Sequence, residues 1–221
     1  SELGAGKRGT SLAFSALHIA DAERSKQVIS ALPKTKVDNH NELIGSKPSF
    51  EHAKYVEALV NVNENIAYAV DEALQNGFFP IIISGDHSNA IGGVAGFKNH
   101  FHDKKVGVIW IDAHADLRKE YEGSKCNHAC AVYEASQNTN LIQVGIRSMD
   151  AIEKTVMDLD KVFFAHEMAQ DDYWMENAID LMTNNVFLSF NLNALDLSLI
   201  RSTSYPEPGG LFWYETLEFL Q

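Results

Sequence analysis

The chain has 221 residues, of which 45% are hydrophobic and 22% are charged, a composition typical of a globular protein with a substantial core. Its 30 acidic residues outnumber 18 basic ones, and the formal charge of −12 argues against nucleic acid or a membrane as partner. We find neither a membrane-spanning run nor a signal peptide pattern. Cys126 and Cys130 fit neither a disulfide scaffold nor a thiolate zinc site, so we expect a cytoplasmic protein.

The predicted elements alternate between helices and short apolar strands. A first helix is predicted after Thr10-Ser11, and a long one from about Phe50 to Asn76, where apolar residues recur at helical spacing until Gly77 supplies a left-handed stop. Short runs of β-branched and aromatic residues without polar alternation are typical of strands covered by helices on both faces. They predict an α/β fold with a mainly parallel sheet and one domain over residues 1–221. The five runs are 78–83, 106–111, 141–144, 161–164 and 186–190.

Polar clusters follow three of these runs, at the strand ends where ligands collect in parallel sheets. They are Ser84–Ser88, Asp112–Asp116 and Asn191–Asp196. In the middle cluster Asp112, His114 and Asp116 alternate, and residues two apart in an extended segment point the same way. A single His or Asp at a strand end is more often a cap or a loop hydrogen-bonding residue. Three at this spacing favour a divalent ion such as manganese, iron, nickel or zinc.

The three clusters also resemble the signature segments of the ureohydrolase family, which includes arginase, agmatinase and formiminoglutamase. The matching segments read Ser-Gly-Asp-His-Ser, Asp-Ala-His-Ala-Asp and Ser-Phe-Asn-Leu-Asn-Ala-Leu-Asp. The resemblance implies a three-layer α/β/α sandwich and two manganese ions that activate water against a guanidinium or formimino carbon. The segments Glu120–Lys125 and Pro206–Leu211 look more like agmatinase than arginase.

Site residues follow from the same resemblance. It implies Asp116 as a catalytic carboxylate as well as a metal ligand, and His128 as the residue that delivers a proton to the leaving nitrogen. Family members are commonly trimers or hexamers, which implies a homo-oligomer. The implied metal ligands are His87, Asp112, His114, Asp116 and, in place of two expected aspartates, Asn191 and Asn193.

The two asparagines weaken the predicted metal pair. Two dications about 4 Å apart repel by roughly 17 kcal/mol at an effective dielectric of 20, and anionic ligands must offset this. Asp112 and Asp116 supply two negative charges where four would balance the pair, so we expect poor or half-filled loading. Leu197 also replaces a usual proline, and the family's C-terminal strand and helix, with a substrate-contacting glutamate, have no counterpart before Gln221. A fragment, a differently closed sheet and a gap filled by another chain are all consistent with this.

Three functions remain open. The first is a metal-dependent hydrolase of guanidino or amidino C–N bonds, on agmatine- or arginine-type substrates, with an impaired dinuclear site. The second is a catalytically silent relative that acts as a structural or regulatory partner in a homo-oligomer or with an active paralogue. The third is a binding module for a single metal ion.

Overall fold

The computed structural model describes residues 50–102, 105–203 and 205–221. The helix predicted after Thr10-Ser11 lies outside these residues. They group into two units, one of residues 50–100 with Lys119–Ala131 and the other of Phe101–Arg118 with Val132–Gln221. The single domain over 1–221 stays a prediction. Across the described residues, every helix is too short or too polar to cross a bilayer.

In the first unit, helix α1 covers Phe50–Gln75 and confirms the predicted long helix. It ends where the sequence indicates, because Gly77 adopts a positive φ of 76°, which glycine accepts without a steric penalty. The N–H of Gly77 then donates to the carbonyl of Leu74 at 3.0 Å, and that of Phe78 to Ala73 at 2.9 Å. These bonds satisfy carbonyls that the last helical turn leaves without partners.

Helix α2, Asn89–His100, packs closely against α1. At Gly92 and Gly96 an added Cβ would lie only 2.4 and 2.3 Å from carbonyl oxygens of α1. The buried Asn63 side chain joins the helices by accepting a 2.7 Å hydrogen bond from the N–H of Gly92. The small residues of α2 therefore set the spacing of the helix pair.

The strand predicted over 78–83 is wrong for this structure. The segment between α1 and α2 forms no strand, and Phe79 and Ile81 are 89% and 76% exposed. An apolar run becomes a buried strand only where a neighbouring strand pairs its backbone, and none in the described part of the chain does so.

The second unit is built on a four-stranded parallel sheet with the order β3-β2-β1-β4. Ile111 at the end of β1 lies in register with Val144 on one side and Phe190 on the other, so these strands end at the same edge. The predicted α/β fold with a parallel sheet is confirmed. The strands are β1 Val106–Ile111, β2 Asn140–Ile146, β3 Val162–Phe164 and β4 Asn185–Phe190.

Helices of the second unit bury part of this sheet. Ile109 and Ile142 pack in one apolar cluster with Trp174, Ala178 and Phe219, and the rings of Trp174 and Phe219 lie 4.9 Å apart. This core holds the ends of β1 and β4 at fixed positions beneath the polar residues that follow them. The helices are α3 Tyr133–Asn138, α4 Ala151–Lys154, α5 Ala165–Met168, α6 Trp174–Asp180 and α7 Trp213–Phe219, with 3-10 turns at Leu159–Lys161 and Leu192–Ala194.

Candidate metal centre

The segment that follows β1 is fixed by main-chain hydrogen bonds to the end of β2 and to the residues that follow it. The N–H of Asp112 donates to the carbonyl of Val144 at 3.1 Å. The carbonyl of Ala113 accepts from the N–H groups of Arg147 and Ser148, each at 2.9 Å. The side chains of this segment therefore start from a backbone that has little freedom to move.

Two carboxylates of this segment lie close together. Asp112 is fully buried and Asp116 is 8% exposed, and their ligand oxygens lie within 4.8 Å of one another. The backbone of this segment bends at Asp112 and Ala113, and the φ of Asp116 is +50°, an uncommon value for a residue with a side chain. Two buried negative charges at this distance favour a bound cation, because otherwise they repel each other without the screening of water.

Asn191, at the end of β4, faces Asp112 with its donor end. Its Nδ2 donates to Asp112 Oδ2 at 2.7 Å, and its Oδ1 accepts from the N–H of Asn193 at 3.0 Å, capping the 3-10 turn. The other oxygen of Asp112, Oδ1, accepts from the N–H of His114 at 3.1 Å. The Nδ2 group of Asn191 is thus a donor to Asp112, while its Oδ1 caps the 3-10 turn.

His114 lies between Asp112 and Asn193. Its Nδ1 is 3.3 Å from Asp112 Oδ1 and 3.5 Å from Asn193 Nδ2. Burial lowers the pKa of His114, but the hydrogen bond with Asp112 and the charges of Asp112, Asp116 and Glu207 outweigh it and raise the pKa above its ordinary value. The acidic groups around His114 therefore favour the protonated form of this imidazole more than water does.

These residues fit one divalent ion better than two. Asp112 and Asp116 supply two negative charges, and Asn193 Oδ1 is a buried acceptor that has no hydrogen-bond partner among the described residues. Carboxylate, amide and imidazole ligands suit manganese and similar ions. A second ion at Asp112 would meet the N–H group that Asn191 directs at Oδ2, and donors do not ligate cations.

Three further residues of the same unit lie at this site and do not belong to the predicted ligand set. Glu207 Oε1 is 3.9 Å from His114 Nε2, and the Tyr205 ring meets the His114 ring edge-on at 6.4 Å between centroids. Arg147 donates to the carbonyl of Asn193 at 2.8 Å. Arg147 directly follows β2, so the rule that polar residues after parallel strands form sites identifies it from sequence. Tyr205 and Glu207 follow no strand and carry no such signal.

His87 and His128 belong to the first unit. The carbonyl of His87 accepts from the N–H of Ala90 at 3.0 Å as α2 begins. His128 opens the 3-10 turn His128–Cys130, which the side chain of Asn127 caps, and its ring centroid is 6.2 Å from that of Tyr121. Metal ligation by His87 and proton transfer by His128 stay predictions.

Comparison with known proteins identifies the family. The Arginase family model matches residues 3–221. The N(1)-aminopropylagmatine ureohydrolase of Synechocystis sp. is 29% identical over 202 residues, covering 84% of this chain and 66% of that protein. The arginase of Bacillus caldovelox is 28% identical over 247 residues, covering 97% and 80%. The chain therefore belongs to the arginase family.

Solved structures agree with this assignment. The crystal structure of arginase from Bacillus cereus is 30% identical, with a TM-score of 0.65, over 73% of this chain and 65% of that one. The arginase from Bacillus caldovelox gives a TM-score of 0.67 at 26% identity, over 100% and 82%. The chain spans about two thirds of the length of the Synechocystis and Bacillus cereus proteins.

Proposed function

We propose that this protein hydrolyses a C–N bond of a linear guanidino or amidino compound with the help of one divalent cation, manganese by preference. The observation that carries this proposal is the pair of buried carboxylates, Asp112 and Asp116, whose oxygens lie within 4.8 Å at the end of β1. Membership of the arginase family supports the reaction class. The ureohydrolase relative suggests an agmatine-like substrate.

Each residue has a defined task in this proposal. Asp112 and Asp116 hold the cation, with His87 and His114 as further ligands. A bound divalent cation would supply Lewis-acid activation of water for attack on the amidine carbon near neutral pH. His128 delivers a proton to the nitrogen that departs as the C–N bond breaks. Asn193 offers an uncharged oxygen, while Asn191 holds Asp112 in place by its hydrogen bond.

The hydrogen bond from Asn191 to Asp112 favours a second candidate, a catalytically silent family member that acts as a structural or regulatory oligomer partner. In that case the amides satisfy the site without a metal. Asn191 donates a hydrogen bond to Asp112, and the amide of Asn193 lies against the His114 ring.

Metal analysis and a urea-release assay decide between the two candidates. The purified chain is loaded with manganese, desalted and analysed for metal, and then assayed with agmatine, arginine and N(1)-aminopropylagmatine. The hydrolase proposal expects about one ion per chain and release of urea from at least one compound. An Asp116→Asn variant, which removes one of the two carboxylates, should lose both metal and activity. A metal-free wild-type chain that releases no urea would refute the hydrolase and favour the silent relative.

A further inference from the structure

The segment 205–211 is held at the carboxyl end of the sheet by two side chains of opposite charge. Arg147 donates to the carbonyls of Glu207 and Pro208 at 2.8 and 2.9 Å. Asp196 accepts from the N–H groups of Gly209 and Gly210 at 2.9 and 3.3 Å. We call this arrangement the Arg147–Asp196 clamp.

The clamp also ties the segment to the strands that carry the candidate site. Arg147 donates to Gly145 of β2 at 3.0 Å and to Asn193, just beyond β4, at 2.8 Å. Gly210 lies so close to the backbone after β4 that an added Cβ would be 2.4 Å from the carbonyl oxygen of Ala194. These contacts fix the backbone of the segment relative to the candidate metal centre. The side chains of the segment are therefore also fixed at their base.

Glu207 is the charged side chain that this segment brings to the site. Its carboxylate oxygen Oε1 lies 3.9 Å from His114 Nε2, and the Glu207 side chain is 34% exposed. The side chain is therefore partly shielded from water and still open to a ligand. Within the described part of the chain, that contact is its one ion pair, and its oxygens accept no hydrogen bond. Asp112, Asp116 and Glu207 together give this part of the second unit a surplus of negative charge that Arg147 offsets only in part.

We propose that Glu207 binds the guanidinium or amidinium group of the substrate, and that the Arg147–Asp196 clamp positions it for this contact. A planar cation with two parallel N–H donors matches the two oxygens of a carboxylate, and such charge-assisted pairs are strong and geometrically selective. A neutral urea group lacks the charge and gains less from the same carboxylate. This inference rests on the proposed function, because it assigns the specificity of that site.

Binding measurements with two probes test the role of Glu207 on the full chain. Agmatine carries a guanidinium group, and N-carbamoylputrescine replaces it by a neutral urea while keeping the same ammonium end. Calorimetric titrations compare the wild type with Glu207→Gln, which removes the charge and keeps the shape. Glu218→Gln is the matched control, because Glu218 is an exposed glutamate of the same unit on α7.

We expect Glu207→Gln to weaken agmatine binding at least about tenfold, the loss of one charge-assisted contact, and to change N-carbamoylputrescine binding by less than about twofold. Glu218→Gln should change neither. A general structural role would weaken both probes equally, and that result, or unchanged agmatine binding, would overturn the proposal. If Glu207→Gln does not fold, Glu207→Ala carries the same expectation.

The wild type alone provides a further measurement. It should bind agmatine at least about tenfold more tightly than N-carbamoylputrescine, and equal affinities, or no binding of agmatine, would overturn the proposal. Urea release is measured separately. Selective agmatine binding without urea release would refute hydrolysis and support the role of Glu207, whereas urea release that Glu207→Gln leaves unchanged would refute the role of Glu207 alone.

Discussion

Replacing Asn191 by aspartate is expected to make the stability of the protein depend on a divalent cation. In the wild type, the Nδ2 group of Asn191 donates to Asp112 Oδ2 at 2.7 Å, and Asp112 is fully buried. In Asn191→Asp a carboxylate oxygen takes the place of that N–H group. A favourable hydrogen bond is then replaced by two like charges in contact.

The size of this effect follows from the distance. Two unit charges separated by the 2.7 Å of the present hydrogen bond repel by about 6 kcal/mol at an effective dielectric of 20. Movement of the side chains or uptake of a proton relieves part of this, so we expect the metal-free variant to lose about 3–5 kcal/mol of unfolding free energy. Manganese at about 100 times its dissociation constant should return about 2.7 kcal/mol.

Urea unfolding in EDTA and in manganese chloride measures both quantities, and metal analysis after desalting gives the stoichiometry. Asn184→Asp is the matched control, because it adds the same charge at an exposed turn before β4. The stabilisation by manganese should be larger in Asn191→Asp than in the wild type or the control. If Asn191→Asp is as stable as the wild type in EDTA, our electrostatic account of this hydrogen bond is wrong.

Three further substitutions test other parts of the structure. The Ser198 hydroxyl and several N–H groups donate to Asp196 and lower its pKa, so this carboxylate stabilises the fold above about pH 4, and the stabilisation is lost as pH falls through the lowered pKa. Asp196→Asn should therefore destabilise the protein at neutral pH in urea unfolding, by a difference that shrinks toward acid pH; a constant difference would contradict this. Gly210→Ala places Cβ 2.4 Å from the Ala194 carbonyl and should cost about 1–3 kcal/mol in the same assay. Gly96→Ala, 2.3 Å from a carbonyl of α1, should speed amide hydrogen exchange in α1 and α2, and unchanged exchange would count against the close packing of that pair.

Much of the sheet can be predicted from the sequence because each strand is bounded by a change from apolar to polar residues. The run 106–111 became β1, and all six of its residues are buried. The run 78–83 has the same apolar character and forms no strand. Periodicity and composition report what a segment can bury, whereas strand formation also needs a partner backbone, which no local pattern encodes.

The candidate site is predictable to a similar depth. Asp112, Asp116 and Asn191 follow strands, and the end-of-strand rule brings them together. The sequence presents Asn191 as an aspartate without its charge, but the structure shows that its amide nitrogen matters as well, because it donates to Asp112. Glu207 is held at the site because its backbone carbonyl accepts a hydrogen bond from Arg147. Every residue has a backbone carbonyl, so no sequence pattern predicts which one Arg147 binds.

The contacts of Arg147 have a consequence for how this site can change. Its guanidinium binds carbonyl oxygens of Gly145, Asn193, Glu207 and Pro208, all of them main-chain atoms. A substitution at position 193 or 207 alters the side chain at the candidate site and retains the main-chain oxygen that Arg147 binds. Under the proposed role of Glu207, the side chains would set ligand selectivity and the main-chain oxygens would hold the loops. Mutational libraries at these two positions could then vary the side chains while Arg147 keeps the loops in place.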